Sequence, residues 1–214
     1  MDCTHIPEIS CFYSDTIASH ILNPSAHFEY EMILVTDGSA QVQIHDRTYP
    51  LQRGSLLFIS RLEQHQFCIV KEPYCRYVLS VSSDLLLSHL NEPRLASIFM
   101  QRPEYFSHVV QLNEEQLAYF LPFFQKNADE YEKQPDFYTL QSIALLLSIL
   151  ISLYRLYPNA FPMEDSSSLS AAVLNAQIYV SRHFNRKLTL QEIADQCFLN
   201  RHTLSLAFKE IVGI

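Results

Sequence analysis

Three side chains able to do chemistry recur near the amino end of the chain: His27, Glu31 four residues on, and His65. Two imidazoles and a carboxylate suffice to hold a divalent metal that keeps open coordination positions. The same groups could instead hydrogen-bond a bound molecule, or satisfy one another in a polar core. Arg61, four residues before His65, brings a permanent positive charge to the same stretch.

A second chemistry, the reading of nucleic acid, is carried by residues 189–213, TLQEIADQCFLNRHTLSLAFKEIVG. Thr189 with Glu192 has the form of a capping box, the hydroxyl accepting from a backbone N–H and the carboxylate reaching back, so a helix is expected from Leu190. Leu190, Ile193 and Ala194 form its expected apolar stripe, and the turn falls over 197–200. Asn200 suits the N-cap of a second helix, which would bury Leu204, Phe208 and Ile211 and end at Gly213. That leaves Arg201, His202, Ser205, Leu206 and Lys209 facing outward. A helix presented N-terminus first with short polar and basic side chains is how a major groove is read. An ordinary αα-hairpin would share the capping and the repeat, but charge favours DNA. Residues 171–214 carry a net +2, whereas residues 1–170 carry −10. A small basic module on an acidic body suits site-directed binding better than nonspecific coating.

The first group of residues needs a scaffold, and short strands supply one. Residues 30–36 (YEMILVT), 40–45, 55–59, 64–70 and 76–81 read as strands separated by turn signals at Asp37-Gly38 and His45-Asp46-Arg47. Regular spacing of that kind predicts an antiparallel barrel or sandwich. Alternation puts Glu31, Ile33 and Val35 on one face and Tyr30, Met32 and Leu34 on the other. A mostly apolar cavity with a few convergent polar groups is the expected form of a ligand pocket. His27, Glu31, Arg61 and His65 would supply those groups, and they suit a hydroxylated molecule such as a sugar. All three glycines, Gly38, Gly54 and Gly213, fall at expected turns.

Two helices are expected in the middle. Asn113 caps the first, with Glu114 and Glu115 in its first turn and Leu117, Phe120, Leu121, Phe124, Ala128 and Tyr131 at helical spacing. Pro122 should kink it or shift its start. The second, from Phe137, carries two stripes: Leu140, Ala144, Leu147, Ile151 and Tyr154, and Leu146, Leu150, Leu153 and Tyr157. One stripe can be covered within the chain and the other left for a partner subunit. The apolar run 143–154 is twelve residues, short of a membrane span, and no amino-terminal run has the form of a signal peptide. Five cysteines without a CxxC pair read as reduced thiols in the cytoplasm. Residues 158–170 have the composition of a flexible linker.

Residues 171–214 resemble the first half of the DNA-binding domain of the AraC/XylS family of transcription regulators. Leu190, Ala194, Leu204, Phe208 and Lys209 fall at that family's spacing. The resemblance implies that Asn200, Arg201, His202, Ser205, Leu206 and Lys209 form the DNA-contacting set, with His202, Ser205 and Leu206 at the bases and Arg201 and Lys209 nearer the backbone. Leu206 departs from the more usual polar or basic residue and could touch a thymine methyl. Family members continue through a linking helix and a second helix-turn-helix, so this chain is expected to be truncated.

His27-x3-Glu31-x6-Gly38, followed by Gly54 and His65, is similar to the two motifs of the cupin superfamily, the usual sensor of AraC-type regulators. His27, Glu31 and His65 match three of the four cupin metal positions, and Ser25 stands at the fourth. Regulators of the family usually do without the metal, so no cofactor, no metal and no catalysis are expected. The resulting expectation is a mixed α+β chain with a cupin-like effector-binding barrel at 10–112, a helical dimerisation element at 113–157, a linker at 158–170 and a partial DNA-binding domain at 171–214. Its implied partners are promoter DNA, a small-molecule effector, a second copy of the chain and RNA polymerase. Two other readings are a metal-dependent cupin enzyme and a dimerising antagonist without specific DNA binding.

Overall fold

Two long strands, β2 (Tyr30–Ile44) and β5 (His65–Val81), run antiparallel along their whole length and organise the amino-terminal half of the chain. The computed structural model describes residues 8–16, 22–90, 92–101, 103, 105–162 and 168–212. Cys3, Gly213 and the stretch 163–167 of the expected linker lie outside the described residues. So does the side chain of Ile211.

Each long strand joins two segments that the sequence reads as separate. The turn signal at Asp37-Gly38 produces bulges between Val35 and Ala40 instead of a break in pairing. A bulge bends a strand without ending it. Gly38 has φ 73°, and a Cβ there would lie 2.2 Å from the Pro73 carbonyl oxygen. The bend has a large effect. Ile44 pairs with His65, and Glu31 sits near the other end of β2, roughly 40 Å away in a straight strand. Ligand atoms of Glu31 and His65 nevertheless lie within 4.8 Å of one another. The sheet therefore folds over on itself.

β1 (Ile9–Thr16), β3 (Arg47–Gln52), β4 (Ser55–Ile59) and β6 (Val109–Gln111) complete a six-stranded antiparallel sheet. The order is β1-β5-β2-β4-β6, with β3 pairing β2. The mixed α+β class is as expected, but the sheet is not closed, because β1 and β6 end the pairing order. β1, β3 and β6 escape a sequence reading: β3 carries Arg47 and Pro50 in place of an apolar run, and β6 is only three residues long.

Alternation works as expected inside the fold. Ile33 and Val35 of β2 join Val42, Ile44, Leu57, Ile59, Phe67, Ile69, Tyr74 and Val78 in one buried cluster. Met32 and Leu34 are buried on the opposite face of the strand.

Helices α1 (Ser83–His89), α2 (Pro93–Met100), α3 (Glu114–Lys133) and α4 (Tyr138–Leu156) follow β5 in chain order, with β6 between α2 and α3. Asn113 and Gln116 make a reciprocal capping box at the start of α3. Leu117, Phe120, Phe124 and Asn127 are its buried face, while Leu121, Ala128 and Tyr131 are half-buried. Helix α3 packs on β1, and Phe124 meets Tyr77 with ring centroids 6.4 Å apart. Pro122 lies on the exposed side and the helix runs through it, contrary to the expected start shift. The lost bond to the carbonyl four residues back falls where water can replace it.

Helix α4 is nineteen residues long with mean hydropathy 1.6, so by length and composition alone it could cross a membrane, and the twelve-residue reading understates it. It buries Ile143, Leu146, Ile149, Leu150 and Leu153. Of the two expected stripes the one containing Leu146, Leu150 and Leu153 is thus covered, whereas Leu140 and Ile151 remain 55% and 39% exposed.

The chain divides into two compact units, residues 1–85 with 107–149, and residues 86–106 with 150–214. In the second, α5 (Ser168–His183), α6 (Leu190–Gln196) and α7 (Arg201–Val212) enclose Ala172, Ala176, Ala194, Cys197 and Leu204. Small residues at these positions let the helices cross closely. The expected linker is partly ordered: Pro158–Ala160 form a 3-10 turn, Phe161 is buried against Tyr154, and α5 already begins at Ser168. Cys11, Cys68, Cys75 and Cys197 are free thiols.

Candidate functional site

The fold-over brings His27, Glu31 and His65 together at one end of the folded sheet. His27 stands before β2, Glu31 one residue into it and His65 at the start of β5, so three separate points of the chain converge. A short bridge between Ser25 and His65 pins the segment that carries His27.

Hydrogen bonds fix the proton positions. His27 Nδ1 must donate to the Glu29 carbonyl oxygen at 3.0 Å, since that oxygen can only accept. Its Nε2 lies 3.2 Å from Glu31 Oε2, at ion-pair distance but off a hydrogen-bonding direction, and this buried nitrogen has no hydrogen-bond partner. A neutral ring would leave a lone pair close to the carboxylate. Burial pushes the His27 pKa down, but Glu31 and the Glu29 carbonyl outweigh it, and the imidazole sits above its ordinary value. For Glu31 burial acts to raise the pKa, and His27 together with the Ser80 hydroxyl, which donates at 3.0 Å, brings it below the usual carboxylate value.

His65 behaves differently. Its Nδ1 donates to the Glu63 carbonyl at 2.9 Å, and Ser25 Oγ lies 2.8 Å from its Nε2. Burial lowers its pKa, helped by the charge of His27, whose ring meets it edge-on at 5.2 Å. In the neutral ring Nε2 accepts a hydrogen bond from the Ser25 hydroxyl. The cluster brings together two imidazoles, one carboxylate and two hydroxyls. Alternating donors and acceptors of that kind match a polar ligand.

Arg61 lies on the turn after β4, beside the bond from Leu62 N to the His27 carbonyl. Its Nε is enclosed and has no hydrogen-bond partner.

A neighbouring cluster carries no recognisable sequence signal. Glu63 accepts from Ser60 N at 2.8 Å and from buried His108 Nε2 at 2.9 Å, and His108 Nδ1 lies 3.0 Å from the Tyr49 hydroxyl. Glu63 thus ties the turn before β5 to the chain just before β6, while its own carbonyl orients His65. His108 is 45 to 59 residues from its partners Glu63 and Tyr49, so only the fold joins them.

The helix-turn-helix forms with α6 starting at Leu190 and Asn200 capping α7 through Thr203 N at 2.8 Å. Two local expectations fail. Thr189 Oγ does accept from Glu192 N, but Glu192 does not reach back to complete a capping box. Its carboxylate instead binds Arg186 and the Tyr179 hydroxyl, and Arg186 first, then Tyr179, holds its pKa down to about 2. The charge fastens α5 to α6. Leu190 is also largely exposed, leaving Ile193 and Ala194 to pack. Arg201, His202, Leu206 and Lys209 are exposed and Ser205 is half-buried, while Leu204 and Ala207 turn inward. Leu190, Gln191, Asn200, Arg201, His202 and Ser205 line an open groove along this face.

The family model described as the AraC-like ligand binding domain matches residues 7–150. No curated protein sequence matches the chain. Among solved structures, one of ToxT from Vibrio cholerae is 11% identical, aligns over 96% of this chain and 76% of its own, and superposes with a TM-score of 0.52. A structure of wild-type ToxT from Vibrio cholerae strain SCE256 bound to an unsaturated fatty acid is 12% identical, aligns over 94% and 72%, and gives a TM-score of 0.52. At these identities the likeness is one of fold.

Proposed function

The chain belongs to the AraC-like ligand-binding domain family, and on that premise we propose that it is a ligand-responsive, DNA-binding transcription regulator of AraC type and not an enzyme. The observation that carries this reading is the union, in one chain, of the family's sensor fold with a helix-turn-helix whose second helix leaves Arg201, His202, Leu206 and Lys209 exposed and Ser205 half-buried. In this reading the effector meets His27, Glu31, Arg61 and His65, and promoter DNA meets the face from Asn200 to Lys209. A hydroxylated effector such as a sugar fits the alternating donors and acceptors at the sheet end. The fatty acid held by ToxT makes an apolar effector a second class worth probing. The functional division follows the sequence: sensing at 10–112, pairing of two copies through 113–157, and DNA contact at 171–214, in the cytoplasm and in reach of RNA polymerase.

The test is selection of DNA from a random-sequence pool by the full chain, followed by anisotropy on the winning sequence. The double variant Arg201→Ala, Lys209→Ala should weaken binding at least about tenfold and flatten its salt dependence. Binding unchanged by that variant, or no sequence selected at all, would remove the DNA-reading half of the proposal.

A metal-dependent reading is favoured by one observation, the meeting of His27, Glu31 and His65. Their ligand atoms spread to within 4.8 Å. Donors about 2.0–2.2 Å from one ion lie at most about 4.4 Å apart, close to that upper bound. An ion there would need His27 Nε2 in its unprotonated form. Thermal unfolding with Zn²⁺, Mn²⁺ and a chelator decides this: chelatable stabilisation lost in His65→Ala supports a metal centre, and its absence leaves the cluster to the effector.

A further inference from the structure

Glu63 and His108 are each only 6% exposed, and their carboxylate and imidazole bond one another at 2.9 Å across 45 residues of sequence. Burying two ionisable groups is costly, and replacing such a pair by apolar residues is often neutral for stability. Stability alone is therefore a weak reason for the pair. What it holds is a turn. Residues 60–63 connect β4 to β5, and Leu62 within them has φ 56°. A leucine keeps that left-handed conformation only where its surroundings hold it. One oxygen of Glu63 reaches back to Ser60 N at 2.8 Å and the other takes His108. His108 is itself anchored: its carbonyl accepts from Phe58 N of β4 at 2.9 Å, and its Nδ1 lies 3.0 Å from the Tyr49 hydroxyl of β3.

The backbone of this turn meets the cluster of His27, Glu31 and His65 at two points. Leu62 N donates to the His27 carbonyl at 2.7 Å, and the Glu63 carbonyl accepts from His65 Nδ1 at 2.9 Å. The second bond has a chemical consequence. A carbonyl can only accept, so the proton of a neutral His65 stays on Nδ1 and Nε2 is left as an acceptor. Ser25 Oγ occupies that acceptor at 2.8 Å. A ligand group that replaces the Ser25 hydroxyl there has to donate a hydrogen, as a hydroxyl or an N–H does and a carboxylate or ether oxygen does not.

We propose that Glu63 and His108 are positioning residues of the effector site, their buried pair holding the 60–63 turn so that His65 presents Nε2 as a fixed acceptor. This deepens the effector-sensing reading and rests on it. The two side chains act through the backbone carbonyl of Glu63, which sets the His65 tautomer, and need no contact with the effector.

Proton–nitrogen correlation spectra of the histidine side chains read that tautomer in the full chain without any ligand. They are recorded in mildly alkaline buffer, where the lowered pKa leaves His65 neutral, and His65→Gln assigns its signal. Wild type should show His65 protonated on Nδ1 alone. The double variant Glu63→Leu, His108→Leu replaces the pair by apolar groups, so it should melt near wild type while His65 changes to a mixture of both tautomers. Glu63→Gln should keep the wild-type signal, because its amide oxygen can still accept from Ser60 N and its amide N–H can donate to His108. Phe124→Leu, which loosens α3 on the sheet, controls for lost stability and should keep it too. If the double variant fails to fold, Glu63→Ala against Glu63→Gln carries the comparison. A fixed Nδ1 proton that survives loss of the pair, a tautomer mixture in wild type, or a mixture in Glu63→Gln or Phe124→Leu would each overturn the assignment. The two readings fail separately. A chain that binds no effector and selects no DNA removes the sensing reading even where the tautomer follows the pair, whereas an effector found on a chain whose tautomer ignores the pair removes only the positioning role.

Discussion

Within the His27–Glu31 pair each residue fixes the other's charge, and the two shifts act over different pH ranges. Glu31 has a folded pKa below its ordinary 4.5, so its contribution is complete above that value and is lost as pH falls through the folded pKa. His27 has a folded pKa above its ordinary 6.5, so its contribution is complete below that value and is lost as pH rises through the folded pKa. The pair should therefore stabilise most between about pH 4.5 and 6.5. The stability difference between wild type and Glu31→Gln, measured by denaturant unfolding across pH 3.5–9, is expected to peak there at roughly 1 kcal/mol and decline on both sides. A flat difference would mean that the pair carries no charge. His65 has a folded pKa below 6.5, so it opposes stability as pH falls, and the comparison with Glu31→Gln keeps that contribution from being mistaken for the pair.

At the scale of elements, two backbone positions decide local geometry. Gly38 sits at the bend of β2 with φ 73° and its hydrogen against the Pro73 carbonyl. Gly38→Ala should cost roughly 3 kcal/mol or more, through both the left-handed backbone and the clash, and would loosen the approach of Glu31 to His65. Chemical denaturation gives the cost, and a loss under 1 kcal/mol would mean that the bend adapts. The helix-turn-helix has the reverse arrangement. Phe198 follows the α6 C-cap with φ 56° and is 97% exposed, so a bulky residue holds a place suited to glycine. Phe198→Gly removes a left-handed penalty of about 1–2 kcal/mol and adds a glycine entropy cost of about 0.5–1 kcal/mol. A small rise in Tm is the expected result. A fall would show that the ring makes a contact that exposure does not reveal.

For the whole molecule, the surface left open on α4 is the feature to probe. Leu140, Ala144 and Ile151 are exposed along one stripe, while the opposite stripe is packed. If two copies pair there, Leu140→Glu with Ile151→Glu should halve the sedimenting mass at micromolar concentration and leave the unfolding of each copy nearly unchanged. A mass independent of those charges would move the pairing surface elsewhere. Effector and DNA affinity measured on the same monomeric variant would show whether pairing is needed for either.

The sequence by itself determined what is local. Asn113 and Asn200 announce their caps, the alternation of β2 sorts Ile33 and Val35 from Met32 and Leu34, and the outward face of α7 follows from a 3.6-residue repeat. It also placed His27, Glu31 and His65 in one site, though through a motif resemblance and not through any spacing that physics requires. Only the tertiary structure decided the rest. Whether Asp37-Gly38 ends a strand or bends it depends on the β5 partner, and a three-residue strand such as β6 exists only because β4 is there to pair it. Glu192 abandons its capping role because Arg186 and Tyr179 come within reach. Tyr74 looks like any strand tyrosine until the fold encloses its hydroxyl without a partner, because burial and satisfaction belong to surroundings that distant parts of the chain supply.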